Sequence, residues 1–84
     1  MWFVYLIQCR DNSIYTGITN DLEKRFKHHK EGKGGRYTRN HKPIKILYSE
    51  QFETKSDALK REIQIKGWRK EKKINLVKFG RPVL

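Results

Sequence analysis

The fold follows from one stretch near the N-terminus, Val4-Tyr5-Leu6-Ile7-Gln8-Cys9-Arg10-Asp11-Asn12-Ser13-Ile14-Tyr15-Thr16-Gly17. Two runs rich in aromatic and β-branched residues, 2–8 and 13–19, flank a polar break at residues 10–12. Strand-forming residues on both sides of a turn-forming cluster predict an antiparallel hairpin.

The length of the hairpin loop decides whether Tyr5 and Tyr15 lie on the same face of the sheet. A two-residue loop would pair Gln8 with Tyr15 and, because side chains alternate along a strand, would send Tyr5 to the opposite face. A three-residue loop, Asp11-Asn12-Ser13, would pair Cys9 with Tyr15 and place both tyrosines on one face. Asparagine tolerates a positive φ, so we expect the longer loop and a shared face.

The composition predicts one small domain over residues 1–84, with a core at about 2–79 and a tail at 80–84. Since Cys9 is the only cysteine, the chain has no intramolecular disulfide, which favours a reducing compartment. The apolar run at residues 2–7 is too short for a membrane span or for the core of a signal peptide. We therefore expect a cytoplasmic protein with no membrane partner.

The charge of the chain points to a polyanionic partner. Twenty Lys and Arg residues against nine Asp and Glu give a net charge of +11, and such a field attracts nucleic acid. Residues 32–49 contain no acidic side chain, and within this range residues 33–42 combine glycines, cations and one aromatic residue. This segment is either a solvated surface loop or, as we expect, a loop that binds a phosphate backbone and stacks Tyr37 on a base. The predicted nucleic-acid-binding residues are Lys33, Arg36, Tyr37, Arg39 and Lys42.

A first helix is expected at about residues 21–30, with Asn20 as its N-cap and Glu23 completing a capping box. Leu22 and Phe26 lie one turn apart and would pack on the sheet. Arg25 and His29 are also one turn apart, so they would project together from the neighbouring stripe.

The rest of the chain predicts a third strand at 44–53, a second helix at 55–67 and a third helix at 70–79. Thr54 is the expected N-cap of the second helix. Its expected apolar face is Ala58, Leu59, Ile63 and Ile65, and the third helix would turn Ile74, Leu76 and Val77 inward. The predicted fold class is α+β, with a three-stranded antiparallel sheet flanked by about three helices.

Glu62 is the carboxylate that stands out, because it borders the expected inward face of the second helix. A partly buried carboxylate needs an ionic partner or a cation, and one carboxylate with several waters suits Mg²⁺. The alternative is an ordinary ion pair with Lys66, one turn on. Arg25 is either a phosphate clamp or a surface cation. His29 could orient water, relay a proton or contact phosphate, although a single helix histidine is commonly a surface residue.

The order of these features resembles that of the GIY-YIG nuclease family, especially its small stand-alone members. The likeness rests on Phe3-Val4-Tyr5, Tyr15-Thr16-Gly17, Arg25, His29 and Glu62, and it extends from residue 2 to about residue 77. The chain departs from the family pattern where Phe3 replaces the first glycine, where Thr16 is the middle residue of the second motif, and where Ile18 replaces a lysine of some relatives.

The resemblance assigns roles to these residues. It implies that Glu62 is the ligand of Mg²⁺ or Mn²⁺, that Arg25 is the catalytic arginine, and that one tyrosine accepts a proton from the attacking water. A free phenol with a pKa near ~10 is a weak base at neutral pH, so its pKa must be lowered, and we prefer Tyr15 for this role. Gly17 would allow close approach to the backbone. On the third helix, Asn75 matches a polar position of some relatives.

The expected function is a Mg²⁺-dependent DNA endonuclease that nicks DNA or attacks branched or single-stranded structures during repair or processing. One alternative is a catalytically weak nucleic-acid-binding module that assists a protein partner. Another is a basic protein associated with RNA or the ribosome, which would account for the charge and leave the tyrosine, arginine and glutamate set unexplained.

Overall fold

A computed structural model describes residues 1–33 and 40–80 of the chain. In chain order, these residues form β1 (Trp2–Cys9), β2 (Ile14–Thr19), α1 (Leu22–Lys30), β3 (Pro43–Phe52), α2 (Lys55–Lys66) and α3 (Lys70–Phe79). The predicted α+β class, with three strands and three helices, is confirmed for this part of the chain. No helix within it is both long and apolar enough to span a bilayer.

The sheet has the order β2-β1-β3, and β1 pairs antiparallel with both neighbours. In the hairpin, Tyr5 lies opposite Gly17 and Ile7 lies opposite Tyr15. The predicted shared face of the two tyrosines is therefore confirmed, because Tyr5 and Ile7 are two residues apart on β1 and point the same way.

The predicted position of the hairpin loop is wrong by one residue. The loop has three residues, 10–12, and the backbone N–H of Cys9 donates to the carbonyl of Ser13, so Ser13 belongs to the paired strands. Asn12 takes the left-handed conformation at φ 68°. The carboxylate of Asp11 accepts hydrogen bonds from both the backbone and the hydroxyl of Ser13, which fixes the turn one residue earlier than expected.

The central strand β1 is buried on both faces. On one face, Tyr5, Ile7 and Cys9 pack with Leu22 and Phe26 of α1. On the other face, Val4 and Leu6 pack with residues of α2 and α3, namely Ala58, Ile65 and Leu76. The sheet therefore separates α1 from the other two helices, and the predicted packing of Leu22 and Phe26 on the sheet is confirmed.

The predicted N-cap of α1 is wrong by one residue. The cap is Asp21, whose carboxylate accepts a hydrogen bond from the backbone N–H of Lys24 at 3.1 Å. The hydroxyl of the preceding Thr19 accepts from the N–H of Asp21 and donates to its carbonyl, which holds Asp21 at the cap position. Asn20 is left exposed before the helix.

The N-cap of α2 was predicted correctly, whereas its apolar face was not. Thr54 accepts from the N–H of Asp57, and Ala58 and Ile65 are buried as expected. Leu59 and Ile63 are instead 37% and 69% exposed. At about 100° per residue, Ile63 lies about 140° from Ala58 around the helix, so both cannot face the sheet.

The third helix agrees with its predicted bounds. Leu76 is fully buried, and Val77 packs against the same core. The helix ends at Gly80, which takes a left-handed conformation as its C-cap. Of the predicted tail, residues 81–84 lie outside the described residues.

Candidate active site

Tyr5 is the centre of the site. It lies on the middle strand with only 2% of its surface exposed, and its side chain crosses the backbone of Gly17 on the neighbouring strand. Its hydroxyl is hydrogen-bonded to Nε2 of His29 at 2.8 Å and accepts a bond from Nε of Arg25 at 3.3 Å. Two residues of α1, one turn apart, thus meet one phenol of β1.

His29 is a buried, neutral histidine and not a surface residue. Burial, with a further effect from the positive charge of Arg25, lowers the pKa of its imidazole to about 4. Its ring lies edge-on to Tyr15 with centroids 5.0 Å apart, and it is tilted against Tyr5 at 5.8 Å. At neutral pH it therefore acts as a hydrogen-bonding group that holds the two tyrosines in place and carries no charge.

The two tyrosines have different surroundings. Burial raises the pKa of Tyr5 to about 12, although the hydrogen bond from Arg25 opposes this shift. Tyr5 therefore stays protonated and is poorly suited to accept a proton. Tyr15 lies on the edge strand β2, is only partly buried, and has its ring centroid 6.2 Å from that of Tyr5.

Arg25 is held permanently charged beside these phenols. Its hydrogen bond to Tyr5 raises the pKa of the guanidinium above its ordinary value, which outweighs the opposing effect of burial. The side chain is partly buried at the end of the tyrosine cluster. A planar cation in this position suits a phosphate oxygen.

Glu62 approaches the same cluster from the other side of the sheet. The neighbouring Arg61 donates two hydrogen bonds to Glu50 of β3, at 2.8 and 3.0 Å, and so holds one flank of α2 toward β3. Glu62 lies about 100° further around the helix, on the flank toward β2. Its negative charge contributes to the raised pKa of Tyr5, as expected for a carboxylate near the phenol.

The carboxylate of Glu62 fits a hydrated divalent cation. Its side chain is 14% exposed, and its carboxylate forms an ion pair with Nζ of Lys66 at 3.5 Å, the pairing expected from their spacing. Residues 1–33 and 40–80 contain no group of three or more His, Cys, Asp and Glu side chains that could enclose a metal. A single carboxylate suits Mg²⁺, which keeps several waters, better than a metal that needs a full set of protein ligands.

Comparison with known proteins identifies the family of this chain. The family profile of the GIY-YIG catalytic domain matches residues 1–75. This chain belongs to the GIY-YIG family. A UPF0213 protein of Staphylococcus saprophyticus is 44% identical over 78 residues, which cover 93% of this chain and 95% of the relative. A UPF0213 protein of Staphylococcus aureus is 45% identical over 76 residues, covering 90% and 93%.

A solved structure shows the same fold. The solution NMR structure of the UPF0213 protein BH0048 of Bacillus halodurans is 38% identical to this GIY-YIG chain, with a TM-score of 0.59. The match covers 93% of this chain and 84% of that protein. The predicted family is therefore confirmed, and with it the membership of this domain in a family of nucleases.

The predicted nucleic-acid-binding loop of this GIY-YIG domain is described only in part. Lys33 and Lys42 are exposed at the two ends of the loop, and the N–H of Arg10 in the hairpin loop donates to the carbonyl of Lys42 at 2.8 Å. The segment that contains Arg36, Tyr37 and Arg39 lies outside the described residues. Asn75 is partly buried on α3.

A small polar cavity of about 220 Å³ adjoins Arg25. Its lining includes Lys24 and His28 of α1 together with Thr19 and Asn20. Lys24 and His28 are not among the predicted site residues, although their four-residue spacing places both on one stripe of the helix beside Arg25. This cavity extends the GIY-YIG site toward the start of α1 with a polar surface that combines Lys24 and Arg25 with the carboxylate of Asp21.

Proposed function

We propose that this protein is a Mg²⁺-dependent endonuclease that hydrolyses one strand of DNA at a time, in repair or processing. The observation that supports this most directly is the cluster in which Arg25 and His29 both contact Tyr5, with Tyr15 alongside. An ordinary packing role would require neither a buried histidine nor an arginine at this phenol. A single small site of this kind acts on one phosphodiester bond, so nicking is the expected outcome.

In this proposal Arg25 binds a non-bridging oxygen of the scissile phosphate and stabilises the charge that develops there. Tyr5 positions the guanidinium through its hydroxyl and stays protonated. His29 fixes the orientation of both tyrosines from the buried side. These three side chains form a preorganised group, and its geometry does not depend on the substrate.

Tyr15 is the residue proposed to accept the proton of the attacking water. It is the more accessible of the two phenols, and it lies on the edge strand where a substrate can approach. Glu62 would hold the Mg²⁺ ion, which when bound supplies positive charge near the leaving oxygen and favours ionisation of neighbouring groups. Arg25 keeps its positive charge beside the same two phenols.

A second candidate function is DNA binding without turnover. It is favoured by the ion pair between Glu62 and Lys66, because the lysine ammonium competes with a cation for the carboxylate. On this reading the domain would recruit DNA to a partner enzyme. Salt-sensitive DNA binding with no Mg²⁺-dependent product would support this function over the first.

The test is cleavage of supercoiled plasmid and of branched oligonucleotides with and without Mg²⁺. Glu62→Ala and Arg25→Ala should each lower the rate by about 100-fold or more, the range seen when a charge-stabilising group is removed. The exposed Glu53 and Arg69 provide matched controls, and Glu53→Ala and Arg69→Ala should keep the full rate. Full activity of both site variants would show that the proposed site is wrong.

A further inference from the structure

Two exposed aliphatic side chains lie on α2 beside the candidate active site. Leu59 and Ile63 are one helical turn apart, and Ile63, at 69%, is the most exposed large apolar residue in the described part of the chain. An isolated exposed apolar residue is common on protein surfaces. An exposed pair adjacent to a candidate catalytic carboxylate is a stronger sign of a binding surface.

The geometry of α2 places this pair on the same flank as Glu62. Measured around the helix from the buried Ala58, Glu62 lies at about 40°, Leu59 at about 100° and Ile63 at about 140°, all in one direction. Arg61 lies about 60° in the other direction and is anchored to Glu50 of β3. The aliphatic pair therefore continues outward from Glu62 on the side toward the edge strand β2.

The charges around the pair suit a polyanion. Lys55 and Lys66 lie at about 60° and 80° on the same flank, and both are exposed. The acidic residue of the first turn, Asp57, lies about 100° in the opposite direction. Apart from Glu62 itself, this flank thus combines lysines with aliphatic surface and carries no carboxylate.

We propose that Leu59 and Ile63 pack against an unstacked base next to the scissile phosphate, while Lys55 and Lys66 contact the backbone. This inference rests on the proposed function and narrows its substrate to DNA that is single-stranded or unpaired at the cut. In an intact duplex the base faces are covered by stacking, so an aliphatic side chain reaches a base face only where the stack is open. Selectivity for flaps and branches would then come from α2 itself.

The proposed base contact can be tested without cleavage by measuring, in EDTA, the binding of fluorescein-labelled DNA to the wild-type protein and its variants. Ile63→Asn should weaken the affinity for a single-stranded oligonucleotide by about 5- to 10-fold, equivalent to about 1 kcal/mol. Its effect on a fully paired duplex of the same length should be less than about 2-fold, because phosphate contacts dominate there. The thermal midpoint of the variant should stay close to that of the wild type, since Ile63 is exposed.

Ile44→Asn is the matched control. Ile44 is also an exposed isoleucine, at 50%, but it lies on β3, at the opposite edge of the sheet from β2. This variant should bind both DNAs like the wild type. The proposal would be overturned if Ile63→Asn weakened binding to single-stranded and duplex DNA equally, or weakened binding to neither. It would also be overturned if the substitution dissociated an oligomer formed by the wild type. Failure of the proposed catalysis would appear separately, as a lack of plasmid nicking.

Discussion

At the scale of single residues, the candidate site depends on the lack of a side chain at Gly17. A Cβ at this position would lie 2.5 Å from the hydroxyl oxygen of Tyr5 and 3.0 Å from a ring carbon of Tyr15. The glycine therefore serves as the surface over which the Tyr5 ring crosses from β1 to β2. Its importance lies in this close approach of a side chain and not in an unusual backbone angle.

Gly17→Ala should disable the site while leaving the sheet formed. The added methyl must displace Tyr5 from His29 and Arg25, so we expect at least a 10-fold loss of nicking and a loss of stability of about 1–3 kcal/mol. Gly67→Ala is the control, because its Cβ would meet nothing closer than 3.6 Å, and its activity should stay within about 2-fold of wild type. Plasmid nicking and urea unfolding measure the two effects. Unchanged nicking by Gly17→Ala would contradict the role given to Tyr5.

The Thr16 hydroxyl is a buried polar group that lacks a hydrogen-bond partner among the described residues. We expect Thr16→Val to raise the free energy of unfolding by about 1 kcal/mol, because an unpaired buried hydroxyl is replaced by a methyl group of similar size. Thr19→Val should lower it by a similar amount, since the Thr19 hydroxyl has two bonds to Asp21. Urea unfolding of both variants checks this, and destabilisation by Thr16→Val would indicate an unseen partner for its hydroxyl.

The buried His29 makes stability depend on pH. Its folded-state pKa of about 4 lies below the ordinary value of 6.5, so the unfolded chain binds more protons between these two pH values. Stability should therefore fall on acidification from pH 6.5 toward 4, by on the order of 2 kcal/mol. His29→Gln should flatten this part of the profile in urea unfolding measured at several pH values. Protonation of Asp11 lowers the stability separately, because its pKa of about 2 places that loss of stability at lower pH.

At the scale of elements, side-chain hydrogen bonds fix the start of α1 and help to fix the rotation of α2, which hydrophobic patterning leaves open. Both Asn20 and Asp21 are residues that commonly cap helices, and the hydroxyl of Thr19 selects Asp21. In α2, the bonds from Arg61 to Glu50 help to decide which flank faces β3. That rotation brings Glu62 toward the tyrosines and leaves Ile63 in solvent.

Capping of α1 can be tested with two neighbouring alanine substitutions. Asp21→Ala should cost about 1 kcal/mol of unfolding free energy, because the N–H of Lys24 loses its acceptor, whereas Asn20→Ala should cost a few tenths at most. Thermal or urea unfolding distinguishes the two. A larger loss of stability for Asn20→Ala than for Asp21→Ala would show that Asn20 is the N-cap. Because α1 carries Arg25 and His29, loosening its first turn should also lower activity.

At the scale of the whole molecule, the sheet separates two packed layers, and the candidate site lies where β1 pairs with β2. Tyr5, Tyr15, Arg25 and His29 belong to the layer of α1, while Glu62 comes from the layer of α2 and α3. The net charge of +11 on the whole chain creates a field that attracts polyanions such as nucleic acid.

This charge predicts a steep salt dependence of DNA binding. The affinity should fall linearly with salt on a log–log plot, and Lys33→Ala and Lys42→Ala should each reduce the slope by about one, as expected when one phosphate contact is lost. Lys78→Ala, at an exposed lysine of α3 outside the loop at 33–42, should leave the slope unchanged. Fluorescence anisotropy over a range of salt concentrations provides the measurement. Identical slopes for all four proteins would argue against a binding role for the ends of this loop.

The sequence by itself determined the strand and helix order, the family, and the position of Arg25 and His29 on one stripe of α1. These features depend on local periodicity and on the spacing of a few residues. Local signals allowed a two-residue or a three-residue hairpin loop, and the three-residue loop in the structure puts both tyrosines on one face because an odd-length loop preserves the alternation along the strands. Tertiary structure alone decided the burial of His29, the passage of Tyr5 over Gly17, and the exposure of Leu59 and Ile63. These depend on contacts between segments that are far apart in the chain, and hydrophobic periodicity cannot specify the rotation of a short helix that has apolar residues on more than one side.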